Sequence, residues 1–220
     1  MSDSDLPSGV TAEQAGAIRS AVAEAERRTG GEIVALALAS ADDYPVAYWK
    51  GAALTGLAAA VLAAAVDLLR PIWVTRPAWM LLFVACGMLV GALAALAVPP
   101  FRRWLCGAAL LDRRMEQRAR EAFLVHEVWK TRDRTGILVT VSRFERRVVV
   151  IADAGIHAVV PAGTWDRLAG DTAAMVRQSG PGAGLLAAVR KSGEILLAHG
   201  LARRVDDRNE LADEVRGESR

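Results

Sequence analysis

The chain is poor in aromatic residues, cysteine and histidine. Aromatic residues make up 5% of its 220 residues, and there are two cysteines and three histidines. A disulfide framework requires more cysteines in a polar secreted chain, so Cys86 and Cys106 are more simply explained as small apolar residues in or beside an apolar run. The formal net charge is only +2. Because the basic residues form no stripe with interleaved aromatic side chains, nucleic acid is not an expected partner.

The start of the chain lacks the basic residues and the apolar core of a secretory signal peptide. Residues 1–10 are acidic and polar, and we expect them to be disordered. If the chain enters a membrane, an internal segment must therefore direct it there.

What the chain has in excess is alanine, leucine and valine, concentrated between residues 47 and 101. Residues 51–69 contain a single charged residue, Asp67, and residues 78–98 contain none. At the helical rise of 1.5 Å per residue the first stretch is about 28 Å long, close to the ~30 Å hydrocarbon core of a bilayer. The sequence predicts a hairpin of two transmembrane helices. The alternative is a helical hairpin buried inside a soluble protein.

Tryptophan and arginine residues flank the two stretches where a membrane would meet water. The expected interface residues are Trp73, Trp79, Trp104, Arg102 and Arg103. The loop between the stretches carries two arginines, and more basic residues lie on the other side. The positive-inside rule then predicts a two-helix protein of the inner cell membrane, with both termini and the soluble domain in the cytoplasm.

The segment before the hairpin predicts a helix followed by a buried strand. Thr11 and Gln14 are spaced as a capping box at a helix N-terminus, and Gly30-Gly31 is a helix stop. The apolar run Glu32–Ala39 lies between turn signals and is almost continuous. This pattern is typical of a strand buried on both faces of a sheet.

The segment after the hairpin predicts a long helix and two paired strands. The helix is expected from Arg102 to about Lys130, because an apolar stripe with charged residues opposite runs from Leu111 to His126. Ile137–Val141 and Arg147–Ala152 are apolar, and the link of about five residues between them forces an antiparallel pair. The first strand is separated from both by helices, so its direction relative to each of them is open. Further helices are expected near residues 164–178 and 184–199.

Together these elements predict an α/β fold, a small mixed sheet flanked by helices and interrupted by a transmembrane helical hairpin. The assignments are residues 11–46 and 102–202 for a discontinuous domain, 47–101 for the hairpin between them, and 203–220 for a charged C-terminal tail. The tail is expected to be loose.

An ordered set of short motifs resembles a known family. The motifs are Thr11–Glu13, Arg28–Val34, Asp42–Pro45, Thr131–Leu138, Arg147–Ile156, Pro161, Trp165 and Asp207–Leu211. In this order they resemble the bacterial membrane branch of the TPM domain proteins, which carry a two-helix insertion within the domain.

The resemblance implies a mixed sheet flanked by helices and a role beside other membrane proteins. Plant and cyanobacterial relatives assist the repair of a photosynthetic membrane complex, and an animal relative is an accessory subunit of a receptor channel. Phosphatase activity and divalent metal binding have been suggested for some members. We therefore expect an accessory or interaction module whose partners are the lipid bilayer and other membrane proteins. A metal-dependent phosphatase and a metal-binding sensor without catalysis are the alternatives.

Three carboxylates are the candidate metal ligands. Asp42 and Asp43 follow the first strand, and Asp153 follows the third. If those strands are parallel, the three side chains share one edge of the sheet, where clefts of α/β folds bind ligands. Carboxylate oxygens of this kind suit Ca²⁺ or Mg²⁺. The alternative is that each aspartate caps a turn at a strand end.

Overall fold

The computed structural model describes residues 9–69, 77–202 and 216–218. Three predicted features therefore fall largely or wholly outside the described residues. They are the disordered first residues, the loop that carries Trp73, and most of the charged tail. The chain divides into two compact units. We call Met1–Asp42 with Asp112–Arg220 the sheet domain, and Asp43–Leu111 the hairpin unit. The inserted unit is thus longer at both ends than the predicted 47–101.

The described chain contains eight helices and four strands. In chain order they are α1 (Ala12–Arg28), β1 (Glu32–Leu38), α2 (Pro45–Leu69), α3 (Pro77–Ala97), α4 (Pro99–Cys106), α5 (Ala108–Val125), β2 (Gly136–Ser142), β3 (Arg147–Ala152), α6 (Ala154–His157), α7 (Thr164–Ser179), α8 (Pro181–Ala198) and β4 (Arg216–Glu218). The hairpin unit holds α2, α3 and α4, and α5 begins there and continues into the sheet domain.

The sheet is mixed, with strand order β3-β2-β1-β4. β1 runs parallel to β2, from the pair Glu32 and Gly136 to the pair Leu38 and Ser142. β2 and β3 are antiparallel, as their short link requires. The predicted class, a small mixed sheet flanked by helices, is confirmed.

The C-terminal tail is not wholly loose. Arg216–Glu218 pairs in parallel with the end of β1. The sequence gives no strand signal there, because three charged or small residues do not alternate in polarity. Pairing with an already formed edge supplies what the local sequence lacks.

Helices cover both faces of the sheet. On one face Ile33, Ala35 and Ala37 of β1 pack in a cluster with residues of α1, α7 and α8. On the other face Val34, Leu36 and Leu38 pack with Met115 and Ala122 of α5. All seven residues of β1 are buried, because alternate side chains enter two different cores. This double burial explains the nearly continuous apolar run.

The capping box predicted at the start of α1 is present. The Thr11 hydroxyl accepts from the Gln14 backbone N–H at 3.2 Å, and the Gln14 side chain accepts from the Thr11 N–H at 3.1 Å. Two of the backbone donors that a helix start leaves unpaired are thereby satisfied.

The predicted single helix from Arg102 to Lys130 is wrong. The structure divides it at Gly107, whose φ is +75°, into α4 and α5. The apolar stripe from Leu111 to His126 lies wholly after this point, so its periodicity does not detect the break. Glycine adopts positive φ without the steric cost that a Cβ would add, which is the physical reason for the division. The helix also ends early, at Val125, before a turn in which Glu127 has φ of +54°.

The hairpin unit is built on close contact between α2 and α3. An added Cβ on Gly51 would lie 2.6 Å from the carbonyl oxygen of Gly91, so the two backbones approach too closely for larger side chains. The Thr55 hydroxyl donates to the Gly87 carbonyl oxygen at 2.6 Å. Glycines and alanines at the contact therefore allow both packing and an interhelical hydrogen bond.

Candidate functional site

The three candidate metal ligands are not brought together as predicted. β1 is parallel to β2 and β3 is antiparallel to β2, so β1 and β3 run in opposite directions. Asp42 therefore follows the edge where β1 ends, whereas Asp153 lies beside Gly136 at the edge where β1 begins. The shared carboxylate edge was conditional on parallel β1 and β3, and that condition is not met.

Asp42 is engaged in an ion pair. Its Oδ2 lies 2.9 Å from Nε of Arg114, and both side chains are partly exposed. Asp43 is the next residue along the chain, and its backbone carbonyl accepts hydrogen bonds from Arg102 and from the Tyr48 hydroxyl.

A buried carboxylate that the sequence did not single out lies at the same edge as Asp42. Glu145 is 5% exposed and sits in the turn between β2 and β3. Its Oε1 accepts from the Ala41 N–H at 2.8 Å and from the Ser40 hydroxyl at 3.2 Å, while Oε2 accepts from the Ser142 hydroxyl. Glu145 thus ties the turn to the loop that follows β1. A glutamate in a short polar turn gives no sequence signal of this role.

Asp153 lies at the opposite edge and has both carboxylate oxygens occupied. It is the N-cap of α6 and accepts from the Ala154 N–H at 2.7 Å. Arg134 donates to it through two nitrogens, at 2.7 and 2.9 Å. This paired geometry and the negative charge of Asp153 raise the pKa of Arg134. The pair is a bidentate structural contact, and the turn-capping role weighed for aspartates at strand ends is the one observed here.

A further buried carboxylate of the sheet domain, that of Glu26, also makes a local contact. Oε1 of the buried Glu26 accepts the backbone N–H of Ile33 at 2.9 Å, where β1 begins. In residues 9–69, 77–202 and 216–218, no group of three or more His, Cys, Asp or Glu side chains is arranged to hold a metal ion. Glu26, Glu145 and Asp153 hold loops and strand ends in place.

The hairpin unit presents an exposed apolar surface on α2 and α3. Over an 18-residue window, only 22% of α2 and 11% of α3 are buried. Large apolar side chains point outward on both helices, including Leu57 at 65% exposed and Leu81 at 72%. By length and composition both helices are able to cross a membrane.

The predicted interface residues of the hairpin unit occupy different environments. Trp104 is 66% exposed and its ring stacks on Phe101 with centroids 6.0 Å apart. Trp79 and Arg103 are partly buried, and Trp73 lies outside the described residues.

Arg102 is at the centre of a small aromatic site within the hairpin unit. Its guanidinium lies 6.0 Å from the ring centroid of Tyr44 and 5.2 Å from that of Tyr48, and it donates to the Asp43 carbonyl. Cation–π contact and a hydrogen bond together orient this arginine. Sequence reasoning found Arg102 but missed both tyrosines, because they lie more than fifty positions away along the chain.

Comparison with known proteins gives a likeness of fold. No family model matches the chain, and no curated protein matches it. The NMR structure of the BA42 protein from the psychrophilic bacterium Bizionia argentinensis is similar, with a TM-score of 0.56 and 19% sequence identity, over 95% of each chain. This similarity concerns the fold alone.

Proposed function

We propose that this chain is a two-helix membrane protein that displays a TPM-like domain at the membrane face, where it acts as an accessory or interaction module for other membrane proteins. The observation that carries the proposal is the exposed apolar surface of α2 and α3. Both helices present large aliphatic side chains outward along most of their length.

The physical argument concerns the solvent around these helices. Contiguous apolar patches beyond a few hundred Å² are rare on soluble monomers, because exposing them to water is unfavourable by about 25 cal/mol per Å². In hydrocarbon the same side chains are well solvated, and a helix satisfies its own backbone hydrogen bonds. A bilayer therefore removes the cost that water imposes on this surface.

The proposed orientation follows from the charges that flank the helices. Lys50 lies in the first part of α2, and Arg102 and Arg103 lie in α4 after the end of α3. Their number exceeds that of the two arginines in the connecting segment. The positive-inside rule then supports an inner bacterial membrane location with both termini and the sheet domain in the cytoplasm.

The TPM-like identity of the domain and its interaction role rest on separate supports. The ordered motifs support the identity, and a mixed sheet with helices on both faces agrees with it. The engagement of Glu145, Asp42 and Asp153 in local contacts favours an interaction role over metal-dependent catalysis.

Membrane fractionation tests the first part of the proposal. The full chain, expressed in a bacterium, is expected to stay in the membrane pellet after an alkaline carbonate wash, which strips peripheral proteins. Protease added to spheroplasts should leave the sheet domain intact. Recovery of the untreated chain in the soluble fraction would contradict the membrane assignment, and digestion of the sheet domain would contradict the orientation.

A phosphoester assay tests the second part. The detergent-purified chain is expected to leave p-nitrophenyl phosphate unhydrolysed in the presence of Mg²⁺ or Ca²⁺. Asp42→Asn and Asp153→Asn are the matched variants. Metal-stimulated hydrolysis that disappears in either variant would replace the interaction role with the phosphatase role.

A further inference from the structure

The outer edge of β3 is open within the described sheet. β3 is the terminal strand in the order β3-β2-β1-β4 and pairs only with β2 among the described strands. Among the described residues, no other strand pairs with the backbone groups on its other side, which leaves that side open to a further strand. Its central residues Val149, Val150 and Ile151 are only partly buried.

A cleft of about 400 Å³ runs along this open edge. Residues 146–151 line it consecutively, and α5 and α7 supply the rest of the lining. Ligand pockets in proteins generally measure about 300 to 1,000 Å³, so the space suits a short segment of chain. The cleft therefore places an unpaired strand edge inside a groove.

The α7 wall of the groove is made of small residues. Ala169, Gly170 and Ala173 line it. An added Cβ on Gly170 would meet no heavy atom within 4 Å, so the space in front of this position is open. Proteins usually protect exposed strand edges with covering elements, proline or bulges. Here the neighbouring helix instead leaves room beside the edge.

The charges around the groove are not balanced. Four of the charged residues that line it form two ion pairs. Arg147 pairs with Asp112 at 2.6 Å, and Arg120 pairs with Glu116 at 3.3 Å. Three more charged residues that line it, Arg146, Arg177 and Asp166, form no ion pair with the described residues. Arg146 and Arg177 are two positive charges against the single negative charge of Asp166. This excess favours an occupant with acidic side chains.

We propose that this groove binds an extended segment of a partner protein, in which apolar and acidic residues alternate, as an additional strand on β3. The open backbone groups would supply the hydrogen bonds, and the two walls would receive alternate side chains. This inference deepens the interaction role proposed above and rests on it. Peptide binding tests this inference, whereas membrane fractionation tests the membrane assignment.

The probe is a fluorescein-labelled heptapeptide that alternates valine and glutamate. It is titrated against the full chain in detergent and followed by fluorescence anisotropy. Saturable binding is expected, and it should be lost for a peptide methylated at every backbone amide, which cannot donate to a strand. A peptide with lysine in place of glutamate should bind about fivefold more weakly. Hydrogen exchange should slow at amides within residues 147–151 when the acidic peptide is added.

Two variants locate the binding, each with a control. Gly170→Leu starts from a position whose Cβ would meet no heavy atom within 4 Å, places a bulky side chain in the groove, and should weaken binding at least tenfold. Gly16→Leu, at another helical glycine whose Cβ would meet nothing within 4 Å, should leave binding unchanged. Arg177→Glu should weaken the acidic peptide about fivefold and favour the lysine peptide, whereas Arg167→Glu on the same helix should change neither.

The outcomes separate this proposal from the others. Three results would overturn the groove as a strand-addition site. They are no binding of the acidic peptide, equally tight binding of the methylated peptide, and unchanged binding of the acidic peptide by Gly170→Leu. Self-association that Gly170→Leu abolishes, with no peptide binding, would assign the edge to a second copy and overturn the partner proposal. Because the membrane assignment is read from fractionation, a chain that stays in the membrane but binds no peptide contradicts the groove alone.

Discussion

The sheet domain and the hairpin unit use the same apolar residues in opposite ways. In the sheet domain, β1 carries alanine, leucine and valine that are at most 2% exposed. In the hairpin unit, leucines and valines of α2 and α3 point outward, and glycine and alanine face the helix contact. The first arrangement excludes water by its own packing. The second leaves its largest apolar groups to the surroundings, which is the arrangement expected where those surroundings are lipid.

The largest effect is expected from a charge placed in the core of the sheet domain. Leu36 is 0% exposed and packs between the sheet and α5. Leu36→Asp would bury an unpaired carboxylate, which destabilises a fold by about 4 to 5 kcal/mol or more. We expect rapid cleavage of the sheet domain by protease in the full chain. Leu36→Met, which conserves volume, is the control and should resist cleavage nearly as well as the original chain.

The corresponding charge in the hairpin unit distinguishes lipid from water. Leu81 is 72% exposed, so Leu81→Arg would be almost neutral if water surrounded α3. In a bilayer the arginine opposes insertion by about 3 kcal/mol. We expect a smaller carbonate-resistant fraction for Leu81→Arg and no change for Leu81→Ile. An unchanged fraction for Leu81→Arg would remove the contrast between the two units.

The helix contact of the hairpin unit should be the next most sensitive position. A Cβ on Gly91 would collide with the carbonyl oxygen of Gly51 and the hydroxyl of Thr55. Gly91→Leu must therefore separate the helices, at a cost of about 2 kcal/mol typical of overpacking. Unfolding of the purified chain by a denaturing detergent should begin at a lower concentration. Gly16→Leu, at a position whose Cβ would meet no heavy atom within 4 Å, is the control. Equal behaviour of the two variants would contradict close packing.

The elements predicted correctly are those with local causes. The capping box at Thr11, the doubly buried β1 and the antiparallel pair β2 and β3 each follow from neighbouring residues or from a short link. The break at Gly107 was missed because glycine also occurs inside helices, and only the backbone angle shows which role it has.

The condition that would have brought the three candidate carboxylates together is not met for a nonlocal reason. Whether β1 is parallel or antiparallel to β3 depends on which strand lies between them, and no local pattern encodes that choice. The condition attached to Asp42 and Asp153 therefore could not be decided from the sequence. Glu145 and the groove beside β3 depend in the same way on elements that are distant along the chain.

A moderate effect is expected at the edge where β1 ends. Glu145 accepts three hydrogen bonds there and is buried. Glu145→Gln keeps one carbonyl oxygen for Ala41, and the Ser142 hydroxyl is able to rotate and accept from the new amide. The loss should therefore be about 1 kcal/mol, seen as a small fall in the melting temperature of the sheet domain. Glu145→Ala removes every acceptor and should lower the melting temperature further. A smaller fall for the alanine variant would contradict the role of Glu145 in joining the turn to the loop that follows β1.

The smallest effect is expected at the opposite edge, where Arg134 is 54% exposed beside the buried Asp153. Arg134→Lys keeps the positive charge but loses the two parallel N–H donors, and the Ala154 N–H still satisfies Asp153 in part. The pKa of Arg134 is raised, first by the hydrogen bond to Asp153 and then by its charge. A base with a raised pKa contributes stability that is complete below its unfolded pKa and is lost only as pH rises through the folded value. For arginine that loss falls beyond the alkaline range in which proteins are handled. The difference in melting temperature between the original chain and Arg134→Lys should therefore be small and constant from about pH 6 to about pH 9. A difference that grows with pH across this range would show that another titrating group, rather than this pair, holds α6 against the sheet.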